Sequence, residues 1–149
     1  MRIMAIDYGD AHTGIAISDP TGFLTGFTTV ITAYRPDVAA ERVTALAREH
    51  GVDELVLGYP RNMDGSIGWH AKETEDFAQL LRTASGLPVV LWDERRTTID
   101  AHQILFNAGK NAKKRKKLVD AVAASLILEG YLTFRKNQHG NSASSKALL

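Results

Sequence analysis

The stretch that most constrains this chain is its first nineteen residues, MRIMAIDYGDAHTGIAISD, two short apolar runs joined by a polar turn that carries glycine. Ile3, Ala5 and Ile6, then Ile15, Ala16 and Ile17, are β-prone, and the segment from Gly9 to Gly14 supplies the flexible connection of a hairpin. Asp7 closes the first run. Carboxylates are depleted in strands and costly to bury unpaired, so an acid at the mouth of a central strand is either a turn former or an ion ligand. Asp10, inside the turn, and Asp19, ahead of Pro20 and Gly22, fit the turn reading. Asp7, directly abutting the apolar run, fits the ligand reading slightly better.

A third β-prone run, Phe27 to Ile31, lies between Gly26 and the pair Arg35-Pro36, so the chain opens as an antiparallel meander. From Asp37 the period changes to a helical one, with Val38, Arg42, Ala45, Leu46 and His50 in series, Asp37 as the expected N-cap and Gly51 as the expected C-cap. Val52 to Gly58 reads as a buried strand, and YPRNMDGSIG after it as a loop. Trp69 to Ser85 reads as an amphipathic helix with Phe77, Leu80 and Leu81 apolar and Gly86 at its end, followed by a strand from Leu87 to Trp92. A further helix is expected from Thr97 or Thr98 through Phe106, and a last one from about Lys117 to Phe134.

Strands that alternate with helices pair in parallel through right-handed crossovers, so this order predicts an α/β fold. Its mixed five-stranded sheet is antiparallel over the first three strands, then parallel, and flanked by helices. The 149 residues fit one domain with one core. The chain has no cysteine, which excludes disulfides, zinc–thiolate sites and thiol catalysis. With no signal-peptide pattern and no run long enough to span a bilayer, the expected location is cytoplasmic and no membrane partner is expected.

Ligands of open α/β sheets gather beyond the carboxyl ends of the parallel strands. Asp7, the loop from Tyr59 to Gly68 and the run Asp93-Glu94-Arg95-Arg96 all fall there, and Asp120 opens the last helix among small neighbours that allow close packing. Carboxylates converging in one cleft repel each other unless a cation with a preference for oxygen ligands neutralises them. Mg²⁺ or Mn²⁺ matches such a donor set, and a pair of these ions supports in-line phosphodiester hydrolysis. Each acid also has a plainer role. Asp120 could merely complement the helix dipole, and the acidic-basic run after the fifth strand could be a solvated turn. Three acids at three converging positions weaken that account.

The net charge of +1 conceals one dense block, Lys113, Lys114, Arg115, Lys116 and Lys117, just before the helix that carries Asp120. Most charge runs are solvated surface; here a polyanion held by the block would lie beside the acids, gripped through phosphates without sequence preference. Arg95 and Arg96 could add phosphate contacts, as could Arg61, Asn62 and Ser66 from the loop, although Asn62, Asp64 and Gly65 would also suffice for a plain turn. The five histidines have no metal-type spacing and receive no catalytic role.

Four segments in order, IDYGDAHTGIAISDP (Ile6 to Pro20), VLGYPRNMDGSIG (Val56 to Gly68), LWDERRTT (Leu91 to Thr98) and KKRKKLVDAVAASLILEGYL (Lys113 to Leu132), resemble the YqgF family of RNase H-like proteins, associated with pre-16S ribosomal RNA cleavage and related by fold to Holliday junction resolvases. The resemblance runs from Met1 to about Arg135. It implies an RNase H-like nuclease domain over residues 1–135 and a hydrolase that depends on Mg²⁺ or Mn²⁺; the Ser/Asn-rich composition of residues 136–149 reads as a disordered tail. By motif position the catalytic and metal-binding acids would be Asp7, Glu94 and Asp120, with Asp93 as the alternative to Glu94. Tyr8 and Asp10 stand where the family often has proline and threonine, and Arg96 where it often has leucine.

The leading expectation is an endonuclease maturing the 5′ end of pre-16S ribosomal RNA in ribosome biogenesis, with nucleic acid and the small-subunit precursor as partners and a monomer or homodimer as the unit. A resolvase of branched DNA is the alternative, and a non-catalytic nucleic-acid-binding module on the same fold is a third. A fourth, an actin-like ATPase, fits Asp7, Tyr8, Gly9 and Gly14 locally but needs a second domain for which the chain is too short.

Overall fold

The computed structural model describes residues 1–59, 69–93 and 121–138. β1 (Ile3–Asp7) and β2 (His12–Ser18) form the predicted hairpin, with Met4 opposite Ile17 and Asp7 opposite Gly14. Gly9 is required in the connection, because a Cβ there would collide with the backbone carbonyl oxygen of His12. β3 (Thr25–Thr32) adds antiparallel to β2, with one slip in register between Ile17 and Ser18. Then follow α1 (Pro36–Glu49), β4 (Glu54–Tyr59), α2 (Trp69–Ser85) and β5 (Val89–Asp93).

The sheet order is β3-β2-β1-β4-β5, and β4 runs parallel to both β1 and β5. The predicted mixed sheet is therefore the observed one, with β1 at its centre. β1 and β4 bury both of their faces, which is why they read as unbroken apolar runs.

Local details depart from expectation at the helices. Asp37 is not the N-cap of α1: Pro36 takes the first helical position and holds Arg35 extended (φ −120, ψ 137) as the cap residue, while Asp37 pairs with the Arg35 guanidinium at 2.9 Å. His50 is the C-cap, and Gly51 follows it with φ +66, the left-handed turn that glycine takes without strain. The buried stripe of α1 is Ala39, Ala40, Val43, Thr44 and Ala47, rotated from the predicted series, because the small alanines let the helix lie close to its neighbours. α2 has the predicted bounds and buries Phe77 and Leu81, but Leu80 faces outward at 38% exposure.

A C-terminal helix covers residues 121–138 and continues past the predicted end at Phe134. Lys136 supplies a reason, since its ammonium donates to the Phe23 carbonyl at 3.2 Å and lies 4.8 Å from the centre of the Phe23 ring. The loop over 60–68, the helix expected from Thr97 or Thr98, and the tail beyond residue 138 lie outside the described residues.

The sheet separates two apolar layers. Met4, Ile6, Ile15, Ile17, Leu55, Leu57 and Val89 face α1 and α2, where Phe77 and Leu81 close on them. Ile3, Ala5, Ala16, Val56 and Trp92 face the C-terminal helix, which contributes Ala124, Ile127, Leu128, Tyr131 and Leu132. Burying one such side chain stabilises the fold by about 1.5–3 kcal/mol, so both layers hold the strand ends firmly.

Candidate functional site

Side chains alternate across a strand, so the layer assignments fix where each strand-end acid points. In β1, Ile3 and Ala5 face the C-terminal helix, and Asp7 shares their parity. Its carboxylate therefore leaves the carboxyl end of β1 on that face, half-buried. In β5, Trp92 faces the C-terminal helix, so Asp93 leaves on the opposite face, toward α1 and α2. The register supports this independently: Asp93 lies opposite Tyr59, whose hydroxyl donates to the Glu75 carboxylate of α2 at 2.6 Å. Asp7 and Asp93 thus sit at the same end of the sheet, roughly 10 Å apart across two strand spacings, and on different sides of it.

The C-terminal helix runs antiparallel to β1 and β4. The Tyr131 hydroxyl donates to Glu54 Oε1 at 2.5 Å, deep at the amino end of β4, and the Arg135 guanidinium lies 4.0 Å from the other Glu54 oxygen. The described part of the helix therefore has its amino end, at residue 121, toward the carboxyl ends where Asp7 lies. Burial, with the hydrogen bond to Glu54 and its charge adding to it, pushes the Tyr131 hydroxyl far above the ordinary tyrosine range and keeps it a donor. Trp92 meets Tyr131 and Phe134 edge-on, each at 5.6 Å between ring centres. Gly130 lies against the same ring, where a Cβ would stand in ordinary van der Waals contact with the indole, 3.4 Å away. One helix is thus anchored at its far end by a buried hydrogen bond and along its side by the strand that ends in Asp93.

The α1 and α2 side of the same sheet end forms a cleft that sequence reasoning missed. It is lined by Tyr8, Asp10, Tyr34, Glu73, Asp76 and Phe77. Tyr8 stacks on Phe77 at 4.0 Å with the rings 8° from parallel, and burial together with the charges of Glu73 and Asp10 raises its pKa. The signal available in the sequence was the bulky ring at position 8, next to Asp7 and so of opposite parity. The cleft is acidic and lies across the sheet from Asp7, which makes it a poor surface for a polyanion.

Glu94, Asp120, Arg61, Asn62, Ser66, Arg95, Arg96 and the block Lys113, Lys114, Arg115, Lys116 and Lys117 lie outside the described residues. Among the described residues no three histidine, aspartate or glutamate side chains group as a metal requires. Asp7 is the described acid that meets the expectation of position. A carboxylate oxygen at a strand mouth, in a chain without thiols, suits Mg²⁺ or Mn²⁺ and does not suit a soft metal.

The family described as "RuvX: Holliday junction resolvase" matches residues 1–134. A protein of Halothermothrix orenii named "Putative pre-16S rRNA nuclease" is 43% identical over 140 residues, covering 94% of this chain and all of that protein. A Bacillus subtilis protein of the same name is 40% identical over 134 residues, covering 89% of this chain and 97% of its own length. Among solved structures, RuvC of Thermus thermophilus in complex with a Holliday junction substrate superposes with a TM-score of 0.59 at 14% identity, covering 90% of this chain and 96% of that one. A Fowlpox virus resolvase bound to junction DNA gives a TM-score of 0.52 at 12% identity, covering 89% and 97%. At such identities these structures are similar in fold, the RNase H-like arrangement of a mixed five-stranded sheet with helices on its faces.

Proposed function

The chain belongs to the RuvX (YqgF) family, and from that premise we propose that it is a nuclease whose divalent-cation site forms around Asp7 and whose substrate is precursor 16S ribosomal RNA. The observation that carries the reading is the direction of Asp7: the acid leaves the central strand on the face where the C-terminal helix begins. Asp120 precedes Ala124 by four residues and Ile127 by seven, the spacing of the stripe that packs on the sheet.

Glu94 follows Asp93 by one position, so strand alternation carried one step further favours Glu94 over Asp93 as the third acid. When bound, Mg²⁺ or Mn²⁺ supplies the positive charge that offsets the charge gathering on a phosphodiester under attack by water. Asp7, Glu94 and Asp120 would hold the cation. Lys113 to Lys117 would grip the nucleic-acid backbone beside them, with Arg95, Arg96, Arg61, Asn62 and Ser66 adding contacts near the reacting phosphate. The relatives' name supports the ribosomal substrate, and the family description supports branched DNA as a second reading.

The test is cleavage of precursor 16S RNA and of a four-way DNA junction, side by side, in Mn²⁺ or Mg²⁺, with Asp7→Asn as the blank. The expected result is cation-dependent cleavage of the RNA that the variant lacks. Preferential cutting of the junction would turn the assignment to branched DNA, and no cation-dependent cutting of either would end the nuclease reading.

A further inference from the structure

His12 opens β2 at the end of the sheet where Asp7 closes β1. Residues directly opposite each other share a face, and alternation repeats that face along each strand. Ala16 lies in the layer of the C-terminal helix, and Ile15 and Ile17 lie in the other, so Gly14 and His12 share the face of Ala16. It is the face on which Asp7 leaves β1. Asp7 pairs with Gly14, and His12 stands one diagonal step on, roughly 7–8 Å from Asp7 between Cα atoms. Gly14 carries no side chain to separate the two.

The ring is held from its far side. Thr32 lies opposite His12 in β3, and the Ala33 N–H donates to the Ala11 carbonyl on the next rung at 2.9 Å. His12 and Thr32 are thus a pair without mutual backbone bonds, the kind whose side chains stand closest. Thr32 Oγ1 is 3.3 Å from His12 Nδ1, and the Arg42 guanidinium of α1 donates to the Thr32 carbonyl. Nε2 makes no hydrogen bond among the described residues.

We propose that His12 is a substrate contact of the site around Asp7, its Nε2–H donating to a non-bridging oxygen of the phosphodiester bound there. Those oxygens only accept, so the ring meets one as a donor, with the Thr32 hydroxyl donating into Nδ1 and leaving the proton on Nε2. Asp7 by itself repels a phosphate, and a donor on the same face aims one past it. Mg²⁺ and Mn²⁺ prefer oxygen, so the imidazole answers to the phosphate and not to the cation. The proposal rests on the nuclease reading for its ligand, a phosphodiester. Spacing along the chain hid this role, because it depends on which face of β2 the ring occupies.

The test measures binding of an RNA strand and a DNA strand of one sequence in EDTA, where no cleavage occurs. His12→Ala, folded by circular dichroism, is expected to bind both about tenfold more weakly. His12→Gln, whose amide N–H reaches to a similar place, should recover most of the loss, and cation affinity by calorimetry should stay that of wild type in both variants. On the wild-type protein, the imidazole ¹⁵N signals of His12 should shift when either strand is added. Those of His50 should not, since its carbonyl is tied to Arg2 at the other end of β1. Because binding is read without cation, it can fail while Asp7→Asn still abolishes cleavage, and can hold where cleavage is absent. Unchanged binding by His12→Ala, equal loss in the alanine and glutamine variants, or no shift at His12 would overturn the proposal. So would a loss confined to RNA, which would move the contact to the ribose hydroxyl, or a loss of cation affinity, which would make the ring a cation ligand.

Discussion

Two helices cover one face of the sheet, while one described helix covers the other, and the two layers are joined to the sheet by different means. On the α1 and α2 side an apolar contact, centred on Phe77, Leu81 and the strand residues Ile6, Leu55 and Leu57, is joined by two part-buried polar ties, Tyr59 to Glu75 and Arg82 to the Val89 carbonyl. On the other side the apolar stripe from Ala124 to Leu132 is supplemented by a buried polar anchor, Tyr131 on Glu54, with Arg135 nearby. The difference lies in burial: Tyr131 and Glu54 are both buried, so their bond is costly to leave unmade, whereas Tyr59 reaches an exposed carboxylate. The anchored helix is also the one that the chain directs toward Asp7.

The largest effects should come from the cores themselves. Phe77→Ala, which also removes the Tyr8 stack, is expected to cost about 3–5 kcal/mol of stability, and Leu128→Ala about 2–5 kcal/mol, both read from denaturant midpoints. At matched folded fraction the Leu128 variant should lose more cleavage than the Phe77 variant; equal losses would show that the two layers matter alike to the site.

A smaller effect is expected at the polar anchor. Tyr131→Phe leaves the buried Glu54 without its donor and should cost about 1–3 kcal/mol. The same pair predicts a pH dependence. The folded-state pKa of Tyr131 is raised above its unfolded value, so its stabilisation is complete below the ordinary tyrosine range and is lost as pH climbs through and beyond it. Wild type should therefore lose stability in alkali more steeply than Tyr131→Phe, and parallel curves would show that the hydroxyl is not held as the geometry indicates.

Much of this was legible in the sequence because it rests on period and punctuation. Gly9 and the flanking apolar runs announced the hairpin, and the alternation of strands with helices required β4 and β5 to join β1 in parallel. The side of the sheet to which each strand-end acid points was not legible. β1 and β4 are apolar at every position between their ends, so nothing in their pattern says which alternate set meets which helix, and the opposed directions of Asp7 and Asp93 emerge only with tertiary packing. The same holds for the length of the C-terminal helix, which Lys136 extends by finding Phe23, a partner remote in sequence. The cap of α1 falls on Arg35 rather than Asp37 for a local reason, the hold of Pro36 on the residue before it.

Direction at the sheet end separates Asp7, at the proposed cation site, from Asp93, which leaves on the opposite face. The most direct measurement pairs Asp7→Asn with Asp93→Asn in one Mn²⁺-dependent cleavage assay, with cation affinity followed by calorimetry on the same samples. Asp7→Asn should lose about 100-fold or more in rate and bind the cation more weakly, while Asp93→Asn stays close to wild type in both. Loss confined to Asp93→Asn, or equal loss in the two, would show that the cation site does not lie on the face Asp7 points to.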